Sequence, residues 1–413
     1  MSFSELWVHL SKLSTVDRDG HQLSLKVLYS KRNQPLLVPL DKQKAHDAVN
    51  FFIQNRIIKY WGHLIIELDH HLPWLQLLPT AAFDYFPFDA LFGESDLDHA
   101  KALDGISIFC GSPGALQKVT IYCPNPLGAL GKVAKVAVHE TANDAIKKES
   151  HWLEKLSQST ATAKFLPQLL QHSVLKCERY SLTMKSLAKG VAPKNFGIAH
   201  HAFLRALAQQ NPVFTEWKLS EAHMRLKQRL DHLSGLVDSE VWLFWQEVIT
   251  EIEQMTARAI LPNLMTHGDF AHWNLRQINA DLFVFDWEYA ETHGNPLQDF
   301  LHFHVIPQAL KRRSLSTESM SALMGKTVAY VDKQFGRDLG IGKACGVLTM
   351  HYLLDTITFY AEASGYLDEK HPVLHSYMQM LRQRNEWIPK TAELPSKKGI
   401  EHQSYDNELE ITQ

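Results

Sequence analysis

Hydrophobic and polar positions divide the chain into a strand-forming part and a helix-forming part. Residues 118–123 alternate between polar and apolar side chains, as a strand with one buried face does. Residues 106–109 and 132–138 are short apolar segments, separated from 118–123 by stretches that contain glycine and proline. The pattern predicts a strand, a glycine-containing loop, a second strand, a turn and a third strand.

A helix is predicted directly after these strands, over about residues 141–156. Apolar residues recur at helical spacing from Ile146 to Leu156 and form one stripe, in which Glu149 also falls. Because a buried unpaired charge is costly, Glu149 either has a cationic partner or lies at the edge of the stripe in water. Lys135, in the middle of the third strand, is the candidate partner.

Beyond residue 195 the periodicity becomes mainly helical. It predicts helices over residues 197–209, 220–236, 239–259, 296–310, 318–334, 343–363 and 372–384. The segment 266–288 interrupts this series and includes a predicted strand at 282–285. Residues 390–413 are polar and charged without periodicity, and they are predicted to form a disordered tail.

The first hundred residues have a mixed character. A helix is predicted over residues 45–58, whereas residues 71–92, rich in proline and aromatic side chains, are predicted to be irregular or short-stranded. This leader contains several large apolar residues, among them Phe51, Phe52, Trp61 and Trp74. We therefore expect the leader to pack against the strand-forming part or to mediate self-association, and its pattern indicates no chemistry.

Composition narrows the class of protein. The 413 residues are 45% hydrophobic and 21% charged, which is typical of a globular chain with a large core. The formal net charge of -3 indicates neither a nucleic-acid nor a membrane partner. Four cysteines without a C-x-x-C spacing fit a reducing compartment. With no signal-peptide pattern and no apolar run of 18 residues, we expect a cytoplasmic protein.

The residues best suited to chemistry lie in the interruption between the predicted helices. Asp269 is followed five residues later by Asn274, and Asp286 ends the short strand that comes next. A carboxylate can orient a hydroxyl or accept its proton, while an amide oxygen and a second carboxylate suit Mg²⁺. Phosphoryl transfer requires this combination, because the protein mainly positions the acceptor and the metal-bound phosphates. Alternatively, Asp269 caps a turn and Asp286 is an ordinary strand-end residue.

The pattern H-G-D-x-x-x-x-N at residues 267–274, followed by Asp286-Trp287-Glu288, resembles the catalytic loop and metal-binding segment of the aminoglycoside phosphotransferase and choline kinase family. Asp299 matches the helix aspartate that buttresses the catalytic loop in that family. The resemblance covers roughly residues 105–385. It implies an α+β, bilobal, protein-kinase-like fold with a small β-rich N-lobe, a larger mainly helical C-lobe and an extra N-terminal region.

The resemblance also implies an order of domains along the chain. Residues 1–100 form the extra region of unknown role, and residues 101–190 form the nucleotide-binding N-lobe. Residues 191–389 form the C-lobe with the catalytic loop and the acceptor site, and residues 390–413 form the tail.

On the nucleotide side, the resemblance implies that Lys135 contacts the phosphates of ATP and that Glu149 holds it in position. Backbone N–H groups around Gly111 and Gly114 would lie over those phosphates, although this loop does not reproduce the protein-kinase glycine pattern. Two other lysines are alternatives for the phosphate contact, Lys118 and Lys132.

On the acceptor side, Asp269 is the implied catalytic residue, and Asn274 and Asp286 are the implied Mg²⁺ ligands. Glu288 either joins the metal through water or merely faces the cleft. His267 is expected to hold the loop through its ring nitrogens rather than to catalyse. The next helix also carries two histidines expected to face neighbouring helices, His302 and His304.

The function indicated is ATP-dependent transfer of a phosphate to a hydroxyl of a small molecule. Only 12 residues separate Asp286 from Asp299, too few for the activation segment of a peptide-phosphorylating kinase. A non-catalytic kinase-like scaffold remains an alternative, since the loop around Gly111 and Gly114 does not reproduce the protein-kinase glycine pattern. An aminoglycoside or amino-alcohol kinase is another.

A neutral sugar or sugar-like alcohol is the favoured acceptor. Aminoglycosides are polycations and need a strongly acidic site, whereas the acidic residues of the C-terminal helices are scattered along the sequence. They are Asp332, Asp338, Asp355, Glu362 and Asp368. The chain also resembles kinase-like proteins of bacterial surface-polysaccharide clusters, which carry a leader of comparable length.

Overall fold

A computed structural model of the chain describes residues 21–29, 34–53, 55–93, 99–112, 114–125, 131–175, 178–186, 190–335, 341–364 and 371–388. The predicted tail lies outside these residues. The chain packs as two compact units, which are described separately. The first unit consists of residues up to 195 together with 272–289, and the second consists of 196–271 and the residues from 290 onward.

Most of the described strands belong to the first unit. In chain order the strands are β1 (His21–Tyr29), β2 (Pro35–Pro39), β3 (Thr80–Phe86), β4 (Ser107–Cys110), β5 (Lys118–Cys123), β6 (Lys132–Ala137), β7 (Leu169–Val174), β8 (Tyr180–Lys185), β9 (Val213–Glu216), β10 (Ile260–Thr266), β11 (Leu275–Ile278), β12 (Asp281–Val284) and β13 (Glu291–Gly294).

The second unit holds the longer series of helices. In chain order the α-helices are α1 (Lys42–Phe52), α2 (Arg56–His71), α3 (Phe88–Phe92), α4 (His99–Leu103), α5 (Glu140–Ser157), α6 (Thr160–Ala163), α7 (Ile198–Ala208), α8 (Glu221–Leu233), α9 (Ser239–Met255), α10 (Gln298–Ala309), α11 (Thr317–Phe335), α12 (Ile341–Ser364), α13 (Pro372–Arg382) and α14 (Arg384–Trp387). None of the described helices is long and apolar enough to cross a membrane.

One antiparallel sheet forms the framework of the first unit. Its strand order is β3-β1-β2-β4-β5-β6-β8-β7, and helix α5 packs against β6 and β8. The three strands predicted from the alternating pattern are its β4, β5 and β6. Strands β7 and β8 were not predicted. The positions of β7 alternate between half-buried and exposed, so this strand has no fully buried face.

The described part of the leader extends this same sheet. Strand β2 pairs with β4, with Leu36 opposite Phe109 and Leu37 opposite Ile108. Every residue of β2 is buried, so both of its faces are covered. Leu37 joins one apolar core with Val119 and Val136, whereas Leu36 on the opposite face joins a second core with residues of α1 and α2. The leader therefore supplies strands and a covering layer to the sheet.

The single helix predicted over residues 45–58 is wrong, because two helices occupy this region. Helix α1 ends at Phe52, and Asn55 begins α2 by accepting hydrogen bonds from the backbone N–H groups of Ile57 and Ile58. Asparagine is a favoured helix N-cap, and it ends the continuous helical pattern that the apolar spacing suggests. Self-association of the leader stays a prediction, and Trp61 and Trp74 are exposed residues that would serve it.

The second unit is built around helices, with a small antiparallel sheet of order β13-β10-β9. Its predicted helices are present with ends shifted by a few residues. The centre is α12, whose side chains from Val347 to Leu354 are almost entirely buried and which packs against α8, α9, α11 and α13. A helix that is buried on all sides has apolar side chains around its whole circumference, and α12 follows this pattern.

We predict that replacing a leader residue will destabilise the first unit. Leu37 is fully buried, so Leu37→Ala should lower the free energy of unfolding by about 2–5 kcal/mol. Leu75→Ala is the matched control, because Leu75 lies in the same leader and is 52% exposed. Urea denaturation of both variants measures the difference. Equal stability of the two variants would show that the leader strands contribute little to the sheet.

Candidate active site

The buried pair Lys135 and Glu149 lies between the sheet and α5 in the first unit. Lys135 Nζ is 2.6 Å from Glu149 Oε1 and 2.8 Å from Oε2. Glu149 is fully buried, because it falls within the apolar stripe that packs α5 onto the sheet. Of the two alternatives that the sequence leaves open for Glu149, the paired one is observed.

Asp286 lies beside this pair. Its carboxylate is 2.5 Å from Lys135 Nζ, and its backbone N–H donates to Glu149 Oε1 at 3.0 Å. Asp286 has a positive φ of 69°, a conformation that aspartate tolerates better than most residues. Burial alone would lower the pKa of Lys135, but the charges of Asp286 and Glu149 outweigh it and raise that pKa. Lys135 is therefore held as a cation between two carboxylates.

A second lysine–glutamate pair adjoins the first. Lys118 Nζ lies 2.7 Å from Glu288 Oε2 and 3.8 Å from Asp286 Oδ1. Burial raises the pKa of Glu288, as does the charge of Asp286, while the charge of Lys118 partly opposes the rise. The sequence offered two expectations for Glu288, and neither included this ion pair.

The structure distinguishes between Lys118 and Lys132, the two alternatives to Lys135 for the phosphate contact. Lys132 and Lys135 lie on opposite faces of β6 because side chains alternate along a strand. Lys132 Nζ donates to the carbonyl oxygen of Phe92 at 2.6 Å. Lys118 lies two residues from Thr120, which is opposite Lys135 in the sheet, so it shares the face of Lys135. Lys118 therefore remains an alternative phosphate ligand, and Lys132 is disfavoured.

A hairpin brings Asn274 and Asp286 to one end of a small ladder. Leu275 on β11 pairs with Val284 on β12, and Phe285 N–H donates to the carbonyl oxygen of Asn274 at 3.2 Å. Asn274 and Asp286 flank these residues at the open end of the hairpin. Their amide and carboxylate oxygens are hard ligands of the kind that Mg²⁺ prefers. The residues present thus fit a magnesium ion that also binds phosphate.

The glycine loop between β4 and β5 is only partly suited to phosphate binding. Gly111 N–H donates to the carbonyl oxygen of Lys118 at 2.9 Å, so this N–H closes the hairpin. A Cβ at Gly111 would lie 2.8 Å from that oxygen, which explains the glycine. Gly114 has a φ of +153°. The predicted phosphate contact around Gly111 and Gly114 must therefore use other N–H groups than that of Gly111.

In the second unit, Asp299 fixes the backbone of the loop that carries Asp269. Its carboxylate accepts hydrogen bonds from His267 N–H at 2.8 Å and from Gly268 N–H at 3.0 Å. Gly268 has a φ of +84°, which favours glycine at this position. Burial raises the pKa of Asp299, and the two backbone hydrogen bonds partly oppose this rise. The buttressing contact implied by the family resemblance is present.

The side chain of His267 turns back onto the same loop. Its Nδ1 accepts a hydrogen bond from the backbone N–H of Asp269 at 3.3 Å, and the residue is fully buried. This geometry agrees with a structural role for His267. Asp269 itself keeps 28% of its side chain exposed.

His302 is the residue of this site that the sequence analysis missed. Its Nε2 lies 2.9 Å from Asp269 Oδ1, and its Nδ1 lies 3.3 Å from the hydroxyl of Tyr352 on α12. The expectation that it faces a neighbouring helix accounts for only one of its two ring nitrogens. Its spacing from Asp299 was an available signal, because residues three apart share a helix face.

Residues 134–317 match the model of the phosphotransferase enzyme family. The matched region contains the Lys135–Glu149 pair, Asp269 and Asp286. The match confirms the resemblance of these residues to the aminoglycoside phosphotransferase and choline kinase family. It also confirms the protein-kinase-like α+β fold and the assignment to small-molecule kinases. No curated protein matches the chain by sequence.

Several solved structures resemble the chain at low sequence identity. The aminoglycoside phosphotransferase APH(4)-Ia is 16% identical, with a TM-score of 0.45 over 67% of this chain and 93% of that one. A choline/ethanolamine kinase family protein from Mesorhizobium loti is 13% identical, with a TM-score of 0.45 over 67% and 87%. Amicoumacin kinase hAmiN is 13% identical, with a TM-score of 0.43 over 70% and 90%.

We predict that removing one charge of the buried Lys135–Glu149 pair destabilises the protein more than removing both charges. Lys135→Met leaves Glu149 buried without its cation, and it should cost about 3–5 kcal/mol of unfolding free energy. The double variant Lys135→Met, Glu149→Met removes both charges and should be more stable than the single variant. Urea denaturation measures both. A double variant less stable than Lys135→Met would contradict the account of this pair.

Proposed function

We propose that the chain transfers the γ-phosphate of ATP to a hydroxyl of a neutral, sugar-like molecule with the help of Mg²⁺. The observation that carries this proposal is the chemistry around Asp269. This carboxylate is partly exposed on a loop that Asp299 holds through two backbone hydrogen bonds. A rigidly held carboxylate can orient an acceptor hydroxyl and take its proton.

The nucleotide roles are assigned to residues of the first unit. Lys135, fixed as a cation by Glu149, would contact the phosphates of ATP. Asn274 and Asp286 would hold Mg²⁺, which neutralises charge on the phosphates during transfer. Asp286 contacts Lys135, so the same carboxylate and lysine would meet the metal and phosphate together. Lys118 is a second candidate for the phosphate contact.

The side chains near Asp269 favour a neutral acceptor. Burial raises the pKa of Tyr352, Tyr360 and Tyr377, and the negative charge of Asp269 raises each of them further. These tyrosines therefore remain neutral. Tyr352 and Tyr377 are fully buried, so of the three only the half-buried Tyr360 can offer an aromatic face and a neutral hydroxyl to a polyhydroxylated molecule.

The acidic residues of α12 give independent support for the same preference. Arg229 Nη1 is 2.7 Å from Asp355 Oδ1, and Arg229 Nε is 3.2 Å from Glu362 Oε2. One arginine thus neutralises part of the charge of both carboxylates, which makes them poor partners for an aminoglycoside. Asp338 and Asp368 lie outside the described residues. A place in surface-polysaccharide metabolism would agree with a sugar acceptor.

Two other functions are outcomes of the same test. An amino-alcohol or aminoglycoside kinase would also use Asp269, but it would need carboxylates able to bind an amine. A kinase-like scaffold would bind nucleotide without transferring phosphate. The glycine loop favours this alternative, because the Gly111 N–H already donates to the Lys118 carbonyl oxygen and is not free to donate to a phosphate.

We expect a screen of purified protein to identify sugars as acceptors. The chain would be incubated with Mg²⁺, γ-labelled ATP and panels of neutral sugars, amino alcohols and aminoglycosides, with label transfer and ADP release measured together. Label transferred to a sugar would support the proposal. Label transferred only to amines would favour the amino-alcohol alternative, and nucleotide binding without transfer to any panel would favour the scaffold.

A further inference from the structure

We propose that His302 is a positioning residue that holds Asp269 as a neutral imidazole in one fixed tautomer. The inference rests on the proposed function, because it takes Asp269 as the carboxylate that meets the acceptor. The tautomer is set by a buried chain of hydrogen bonds that runs from Asp269 through His302 and Tyr352 to Tyr377.

The chain consists of three contacts within the second unit. His302 Nε2 lies 2.9 Å from Asp269 Oδ1, and His302 Nδ1 lies 3.3 Å from the Tyr352 hydroxyl. The hydroxyls of Tyr352 and Tyr377 are 2.5 Å apart. The His302 side chain is only 7% exposed, and both tyrosines are fully buried. Water is therefore a poor substitute for any partner in this chain.

The direction of each hydrogen bond follows from counting protons. An ionised carboxylate only accepts, so the Nε2–H of His302 donates to Asp269. In a neutral ring Nδ1 then accepts, and Tyr352 donates its single proton to it. The Tyr352 oxygen is left to accept from Tyr377, so all three protons of the chain are used.

A protonated His302 would leave the chain incomplete. Its Nδ1–H would donate to Tyr352, and Tyr352 would donate to Tyr377. The proton of Tyr377 would then need an acceptor outside the chain. If Tyr377 donated instead to the second lone pair of the Tyr352 oxygen, the Tyr352 proton would be the one left without an acceptor in the chain. A buried hydroxyl proton without an acceptor is costly. The neutral tautomer with its proton on Nε2 uses every proton of the chain within its three contacts.

One helix face thus fixes two parts of the catalytic loop. Asp299 and His302 are three residues apart on α10, where Asp299 accepts from the loop backbone and His302 donates to the Asp269 side chain. In transfer, the acceptor O–H bond breaks and its proton goes to Asp269. The acceptor oxygen bonds to the γ-phosphorus, and the bond from that phosphorus to the departing ADP oxygen breaks. His302 takes no proton, because its Nδ1 is occupied by Tyr352.

The tautomer is measured by nuclear magnetic resonance on the full chain with ring-¹⁵N-labelled histidine. The His302 signals are identified by their loss in His302→Gln. Two-bond ¹H–¹⁵N correlations at neutral pH should show a neutral ring protonated on Nε2, and Tyr352→Phe should shift the Nδ1 signal. An imidazolium or an Nδ1-protonated ring in the wild type would overturn the proposal. This readout needs no activity, so it stands apart from any failure of the proposed function.

Kinetics distinguish positioning from general support of the fold. His302→Leu removes the donor to Asp269, so kcat should fall by about 10²-fold while the KM for Mg·ATP changes within a few-fold. His302→Gln keeps a side-chain N–H and should recover part of that loss. Wild-type kcat in His302→Leu, or equal losses in the two variants, would overturn the positioning role. If the wild type transfers phosphate to no acceptor, the proposed function fails while the measured tautomer still decides the hydrogen-bond chain.

Discussion

The first unit depends on a buried cation held between two carboxylates. Lys135 points from the sheet to Glu149 of the covering helix and to Asp286 at the end of a hairpin. Lys135 and Glu149 would each be costly to bury without a partner, so in this sequence the sheet and the helix meet where the two charges pair. The same pairing keeps Lys135 charged, and Asp286, one of the two candidate metal ligands, lies in contact with it.

The sequence offered the pairing of Lys135 with Glu149 as one of two alternatives, because the pattern is local on each element, whereas the contact of Asp286 with Lys135 was not predicted. A short apolar strand with a lysine at its middle and an apolar helical stripe with one glutamate allow few ways to pair both charges. Asn274 and Asp286 were predictable for a similar reason, since a short hairpin must place them at the same end. The helices of the second unit were predictable from their periodicity, although their ends were not.

Other features depend on contacts between residues distant in the chain. Nothing in the leader indicates that Leu36 and Leu37 pair with β4, some seventy residues later. The ion pair of Lys118 with Glu288 spans 170 residues and involves positions that no single periodicity links. The place of His302 was easier to predict, since it follows Asp299 by three residues and both therefore lie on one face of a helix. Its partner Tyr352, fifty residues away, was beyond the reach of local pattern.

In the proposed function, Asp269 serves the acceptor, whereas the residues around Lys135 serve the nucleotide. The direct test is calorimetric binding of Mg·ATP to Asp269→Asn, together with its rate of phosphate transfer to the identified acceptor. The substitution keeps the size of the side chain and removes its charge. The account predicts affinity for Mg·ATP within a few-fold of wild type and transfer reduced by about 10²-fold or more. Transfer at the wild-type rate would contradict it.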